Sequence, residues 1–132
     1  MWWVALRDTA PDPGNFVKQQ QRFAEAARAV PESADQVTDV MALRRWNRDV
    51  TAHLDEMELA YAAMTQIQRR STDEAAVVVT DALVIAGDVI DLTGEYRDEF
   101  NNGELGTAES AADAIDTLLE RLAAKARAWK RL

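Results

Sequence analysis

Apolar residues recur every three to four positions over most of the chain, and proline and glycine separate the periodic stretches. The separators are Pro11, Pro13, Gly14, Pro31, Gly103 and Gly106. The pattern predicts an N-terminal extension, residues 1–14, followed by helices over residues 15–30, 33–70, 72–101 and 107–131. Because short connections make successive helices antiparallel, the expected fold is all-α, a single domain of residues 1–132 forming an antiparallel four-helix bundle.

The second predicted helix carries a seven-residue apolar repeat. One seam position holds Leu43, Val50, Met57 and Met64, and the next holds Trp46, His53, Ala60 and Ile67. Val37 and Val40 fall outside this register, which predicts a bend or break near residues 42–47. The first helix is expected to begin at an Asn15 N-cap and to stop at Pro31.

Capping signals bound the third predicted helix. The stretch Ser71-Thr72-Asp73-Glu74 matches a capping box, and Asn102-Gly103 predicts a left-handed stop. Its predicted core face is Val78, Ala82, Ile85, Val89, Leu92, Tyr96 and Phe100. The fourth helix repeats Ala108, Ile115, Leu122 and Trp129 at heptad spacing, and we expect Trp2 and Trp3 to pack against one end of the bundle.

A carboxylate interrupts the most apolar run of the chain, because Asp81 lies within residues 75–87. The helix face opposite the predicted core carries Asp81, Asp88, Asp91, Glu95 and Asp98. The last three are expected to form a solvated acidic stripe. Val77 and Val84 share this face, which predicts that another helix or a second subunit covers its first half. A covered carboxylate must be paired, hydrogen-bonded, neutralised or bound to metal.

Composition and charge exclude several classes of protein. Fifteen Lys and Arg against 23 Asp and Glu give a net charge of −8, which opposes binding to nucleic acid. The absence of cysteine excludes disulfides and thiol chemistry and suits a cytoplasmic protein. Neither a signal peptide nor a membrane span is predicted, since residues 75–92 are crossed by three aspartates.

The second helix offers acidic residues that could face Asp81. Asp55 and Glu58 are three residues apart and share a helix face, while Asp49, His53 and Glu56 share another. Such a pair facing an acidic residue on a neighbouring helix is how bundles build oxygen-rich sites for Mg²⁺, which binds substrate phosphates. A single histidine cannot complete a di-iron site. His53 is expected to be an interior or boundary residue held by a neighbouring carboxylate, and the alternative is a general base or a pH-sensitive interface group.

Residues 15–100 resemble the MazG-like all-α nucleotide pyrophosphohydrolases, which include dimeric dUTPases. The resemblance rests on Phe16, Phe23 and Ala27, the Pro31 loop, Leu43-Arg-Arg, Asp55-Glu-Met-Glu-Leu-Ala60, Asp81-Ala-Leu-Val-Ile-Ala-Gly87 and Ile90-Asp-Leu92. That family binds Mg²⁺ with a Glu-x-x-Glu pair on one helix and a Glu-x-x-Asp pair on the next. Asp55 and Glu58 are similar to the first pair and Asp81 matches the end of the second, whose leading position is Val78 here.

The resemblance implies a homodimeric or larger Mg²⁺-dependent enzyme that cleaves a nucleoside triphosphate to its monophosphate and pyrophosphate, or a degenerate relative of one. Asp55, Glu58 and Asp81 would bind the metal, with Asp88 or Glu56 completing the shell or positioning water. The alternative is a non-catalytic helical bundle that binds a protein partner, in which Asp81 pairs with Arg or Lys across an interface.

Overall fold

The computed structural model describes residues 13–132, and its account of side chains begins at residue 15. The described chain consists of α1 Pro13–Ala34, α2 Val40–Arg70, α3 Asp73–Asn101 and α4 Leu105–Lys130. Each helix packs against its neighbours in sequence, and α4 closes the ring by packing against α1. The predicted all-α four-helix bundle is confirmed, whereas Trp2 and Trp3 lie outside the described residues. Across residues 13–132, no helix combines the length and the apolar character that crossing a bilayer requires.

Aromatic contacts lie at the two ends of the bundle. At the Phe16 end, where α1 and α3 begin and α4 ends, the rings of Phe16 and Trp129 lie 4.9 Å apart. At the Phe100 end, where α3 ends and α4 begins, the rings of Trp46 and Phe100 lie 4.7 Å apart. Between them the core is fully buried and mostly aliphatic, with Phe23, Val50, Met57, Met64, Val89, Ile115, Leu119 and Leu122.

Both predicted ends of the first helix are wrong. It begins at Pro13, so Asn15 lies inside it and is not the N-cap, and it continues through Pro31 to Ala34. A proline inside a helix lacks the amide that would bond four residues back, so the last turn needs other support. That support is tertiary: the Trp46 indole donates to the Val30 carbonyl at 3.3 Å and to the Ser33 hydroxyl at 3.1 Å. Ala34 is also buried, which fixes the turn against the core.

The second helix begins at Val40 rather than near residue 33, and the expected bend at residues 42–47 is instead a connection over residues 35–39. Asp39 is the N-cap, since its Oδ1 accepts a hydrogen bond from the Ala42 amide at 2.7 Å. The connection explains why Val37 and Val40 do not fit the heptad register. Six of the eight predicted seam residues are buried, namely Trp46, Val50, Met57, Ala60, Met64 and Ile67, whereas Leu43 and His53 are half-buried.

The third helix begins within a residue of its predicted start, but the capping box does not form. Thr72 is extended and Asp73 has a φ of +53°, so neither has the helical conformation that a Ser71 cap requires. The Ser71 hydroxyl instead donates to the Ile67 carbonyl at 2.6 Å and so satisfies the end of α2.

The predicted left-handed stop of α3 is confirmed. Gly103 has a φ of +76°, its amide donates to the Phe100 carbonyl, and the Glu104 amide donates to the Glu99 carbonyl at 2.9 Å. These two bonds are those of a Schellman motif, which turns the chain directly into α4.

The buried face of α3 matches the predicted core face in part. Ala82, Ile85, Val89 and Tyr96 are buried as expected, whereas Val78, Leu92 and Phe100 are half-buried and Val79 replaces Val78 in the core. On the outer face no helix within residues 13–132 covers Val77 and Val84, which are 60% and 64% exposed. Cover by a second subunit, the other expected arrangement, stays a prediction. Asp91, Glu95 and Asp98 are exposed, which confirms the solvated acidic stripe.

Candidate functional site

Asp81 is paired with a cation of the same chain. Its Oδ2 accepts a hydrogen bond from Lys125 Nζ on α4 at 3.2 Å, and the side chain of Asp81 is 49% exposed. The Val- and Ala-rich run therefore tolerates this carboxylate because Asp81 lies at the edge of the α3–α4 seam, where water and an ammonium group reach it. An exposed pair of this kind contributes at most about 1 kcal/mol to stability.

Glu56, the residue predicted to position water, is engaged on the other side of the bundle. Its Oε2 accepts a hydrogen bond from Arg22 Nε on α1 at 2.7 Å. This hydrogen bond, with a smaller contribution from the charge of Arg22, lowers the pKa of Glu56 below its ordinary value. A carboxylate held in this way is a weak base, which disfavours a role in proton abstraction.

Two side-chain contacts set the register of α2 against α3. The Gln68 amide donates to the Thr80 hydroxyl at 2.9 Å, near the Phe16 end. The amides of Asn47 and Asn101 bond to each other reciprocally near the Phe100 end, at 2.9 and 2.8 Å. Both contacts give the same antiparallel alignment of α2 and α3. This alignment shows which residue of α2 lies at the same height along the bundle axis as a given residue of α3.

In this register Asp81 is level with Ile67 of α2, about nine residues beyond Glu58 and about twelve beyond Asp55. At 1.5 Å of rise per residue, Asp81 lies about 14 Å from Glu58 and about 18 Å from Asp55 along the bundle axis. Mg²⁺ holds its oxygen ligands at about 2.1 Å, so all of its ligands must lie within a few ångströms of one another. Asp81 and the α2 pair therefore cannot share one ion in this arrangement.

The remaining predicted ligands are exposed and separate. Asp55 and Glu58 are exposed on α2, and Asp88 is exposed on the outer face of α3. Within residues 13–132 no group of three or more His, Cys, Asp or Glu side chains is placed to hold a metal ion. As placed, the predicted residues do not fit the Mg²⁺ site that the resemblance implies.

His53 is half-buried on the α2 seam, as the heptad pattern predicts. The expected pairing with a neighbouring carboxylate is absent from the described part of the chain, where Glu56 bonds to Arg22 instead. Trp46 and Trp129 are core residues with 3% and 7% exposure, in keeping with their predicted packing role.

The structure contains an apolar surface at the Phe16 end that the sequence pattern does not predict. Val77, Val78, Ala128 and Leu132 line an open groove of about 530 Å³ between α3 and α4, bordered by Asp73 and Glu74. Val84 extends this surface two turns along α3, and we call these five apolar residues the α3–α4 patch. The sequence pattern singles out Val77 and Val84 on the outer face of α3. Which α4 residues lie beside them is known only from the way the two helices pack.

Comparison with protein-family models, with curated proteins and with solved structures gives no match to this chain.

Proposed function

We propose that the protein is a non-catalytic helical bundle that binds a basic amphipathic helix of a partner protein on the α3–α4 patch. The observation that carries this proposal is the exposure of Val77 and Val84, at 60% and 64%, on a helix whose other exposed residues are mostly acidic. Exposed branched aliphatic side chains that line up with a groove are typical of a surface used for binding.

The spacing of the apolar groups suits a helix laid along the groove. Val77 and Val84 are seven residues apart, which puts them about 10 Å apart along α3. A partner helix presents apolar side chains at the same interval, at positions i and i+7, and recognition of this kind uses such anchors. The ion pair of Asp81 and Lys125 lies between the two valines and supplies a polar contact at the centre of the surface.

The charges on the α3 side of the patch favour a basic partner, whereas exposed Lys130 and Arg131 lie beside Ala128 and Leu132 on the other side. Glu74, Asp88, Asp91 and Glu95 are exposed along the same helix, and the chain as a whole carries a net charge of −8. Lysine or arginine residues flanking the partner's apolar anchors would meet these carboxylates, which speeds association and fixes orientation. A second copy of this chain would bring its own acidic stripe to the same surface, so a homodimer is disfavoured by like charge.

The geometry gives the pyrophosphohydrolase hypothesis less support, because Asp55 and Glu58 lie far along the axis from Asp81. A separate enzyme assay tests this hypothesis. Pyrophosphate release from any of a panel of canonical and modified nucleoside triphosphates with Mg²⁺ would replace the binding proposal with the enzyme.

The test uses two synthetic amphipathic peptides of roughly five helical turns with the same leucine anchors, one with lysine and one with glutamate on the flanks. Binding is followed by methyl NMR of the full chain, in which the valine signals report on the patch. The variant Val77→Gln/Val84→Gln removes the apolar anchors at exposed positions, so the fold is retained. Leu59→Gln, at a residue of α2 that is 55% exposed, is the matched control.

We expect the lysine peptide to shift the Val77 and Val84 methyl signals saturably, and the double glutamine variant to weaken binding at least tenfold while Leu59→Gln leaves it unchanged. Equal binding of the glutamate peptide, or no binding of either peptide, would overturn the proposal. Self-association in sedimentation equilibrium that the double variant abolishes would assign the patch to a homodimer instead.

A further inference from the structure

A second pocket lies at the Phe100 end, far from the α3–α4 patch. It is half open, measures about 290 Å³, and is formed where α1 and α3 end and α4 begins. Tyr96 and Phe100 of α3 contribute aromatic rings, Asp35 follows the last residue of α1, and Leu105 and Glu109 come from the first turns of α4. The pocket therefore combines aromatic and aliphatic surface with two carboxylates.

The aromatic side of the pocket belongs to a packed cluster. The rings of Tyr96 and Phe100 are nearly parallel, with an interplanar angle of 14° and centroids 6.1 Å apart. Trp46 packs behind them at 4.7 Å from Phe100 and 6.2 Å from Tyr96. Because this cluster holds the two rings in place, they form a rigid surface of the kind that attracts cations through their electron-rich faces.

The Tyr96 hydroxyl is the unusual polar group of the pocket. The residue as a whole is 6% exposed, and no hydrogen bond joins its hydroxyl to another residue of the described chain. Because this oxygen is not among the buried atoms that lack a partner, it is the part of Tyr96 that reaches the solvent of the pocket. The pocket is the open space beside this hydroxyl, so a ligand in the pocket can supply the missing partner.

The electrostatic field at this hydroxyl is negative. Burial raises the pKa of Tyr96 above its ordinary value, and the charges of Asp35 and Glu109 raise it further. The negative charges of these two carboxylates repel a phenolate at this position. They attract a positively charged group there because its charge is opposite to theirs. Neither acid takes part in an ion pair within residues 13–132, so both charges are free to act on a ligand.

We propose that this pocket binds the ammonium group of a small alkylamine. The ammonium donates hydrogen bonds to the Tyr96 hydroxyl and to the carboxylate of Asp35 or Glu109, while the alkyl chain contacts Phe100 and Leu105. The volume of about 290 Å³ lies at the lower end of ligand pockets, which suits a short amine and is too small for a nucleoside triphosphate. The ammonium can belong to a free amine or to a lysine side chain.

The probes are butylamine, the uncharged analogue butanol, and N-acetyl-lysine methylamide as the peptide-borne form of the same group. Binding is followed by NMR signals of the Tyr96 and Phe100 rings and by calorimetry on the full chain. Asp35→Asn/Glu109→Gln removes both charges with little change in shape, and Tyr96→Phe removes only the hydroxyl. Asp116→Asn/Glu120→Gln, two exposed acids of α4 outside the pocket, is the control for general attraction to an acidic protein.

We expect saturable shifts at Tyr96 and Phe100 with butylamine and none with butanol. The Asp35/Glu109 variant should weaken binding at least tenfold and Tyr96→Phe several-fold, with no change in the control. Tighter binding of the lysine derivative than of butylamine would identify lysine side chains as the source, and the reverse order would identify free amines.

Equal shifts with butanol would show that the pocket binds apolar groups without recognising the ammonium. Equal losses of binding in the control variant would show that the amines are attracted only by the net charge of the protein. Either result, or the absence of saturable binding by both amines, would overturn the proposal.

Discussion

Asp81 on α3 and Lys125 on α4 lie 3.2 Å apart and form an ion pair across the seam between these helices. The pair is partly exposed, with 34% of the lysine side chain and 49% of the aspartate side chain accessible. It therefore explains how a carboxylate fits into the most apolar stretch of the chain without a bound metal.

Neutralising this pair should have a small effect on stability. We expect Asp81→Asn and Lys125→Gln each to lower the free energy of unfolding by less than about 1 kcal/mol, because water screens both charges. A double-mutant cycle in urea at low and high salt measures the coupling, which should shrink as salt is added.

Magnesium distinguishes this ion pair from a metal site. Adding Mg²⁺ after EDTA should leave the melting midpoint of both the native chain and Asp81→Asn unchanged, since a ligand stabilises only a state that binds it. A rise in the midpoint that Asp81→Asn abolishes would show that Asp81 binds metal.

The two core tryptophans should respond differently to the same substitution. Trp46 Nε1 donates to the Val30 carbonyl and the Ser33 hydroxyl, whereas Trp129 Nε1 is buried and has no partner among residues 13–132. Replacement by phenylalanine removes similar apolar area in both cases. Because an unsatisfied buried donor costs about 1–3 kcal/mol, Trp129→Phe should be less destabilising than Trp46→Phe by roughly that amount.

Urea unfolding of Trp46→Phe, Trp129→Phe and Ser33→Ala measures this difference. Ser33→Ala should be less destabilising once Trp46 is phenylalanine, because the bond from the indole is then absent and only the bond of the Ser33 hydroxyl to the Val30 carbonyl is lost. Equal losses from both tryptophans would show that the Trp129 indole gains a partner in solution.

The regular parts of the fold follow from sequence because their causes are local. The α2 heptad and the Gly103 stop each depend on residues a few positions apart, and both are confirmed. The end of α1 could not be predicted in this way, since Trp46 supports the turn after Pro31 from another helix. Local pattern likewise could not show that Ser71 bonds back to α2 instead of capping α3.

The candidate site shows the same limit more strongly. Spacing within α2 correctly puts Asp55 and Glu58 on one helix, but their distance from Asp81 depends on how α2 and α3 are aligned. That alignment is set by contacts such as Gln68 with Thr80, which no periodicity reveals. The pocket at the Phe100 end is harder still to foresee, because its residues come from three helices that meet only in the folded chain.

The raised pKa of Tyr96 predicts a loss of stability in alkaline solution. In the unfolded chain Tyr96 releases its proton near the ordinary value of 10.0, whereas in the folded chain the proton is held to higher pH. Between these two values the folded state binds more protons than the unfolded state, so the free energy of unfolding falls as pH rises. Ultraviolet titration of the phenol, with Tyr61→Phe to isolate Tyr96, measures the shift.

Two variants separate the causes of this alkaline loss. Tyr96→Phe should reduce the decline in stability above about pH 10, since the phenol whose proton the folded state holds more tightly is then absent. Asp35→Asn/Glu109→Gln should lower the folded pKa of Tyr96 only part of the way toward its ordinary value, because burial is the larger cause. A full return to the ordinary value would contradict this order of causes.

Two glycines at the end and in the interior of α3 should give opposite effects when replaced by alanine. Gly103 has a φ of +76°, and an added Cβ there would meet no atom within 4 Å, so the cost of Gly103→Ala is backbone strain alone. That strain is about 1–2 kcal/mol for a residue with a Cβ in the left-handed region.

Gly94 lies inside the helix, and a Cβ there also meets nothing within 4 Å. Gly94→Ala should therefore stabilise the chain by about 0.5–1 kcal/mol, since alanine loses less backbone freedom on folding. Urea unfolding of both variants checks the signs, and a neutral Gly103→Ala would show that α3 ends without a left-handed residue.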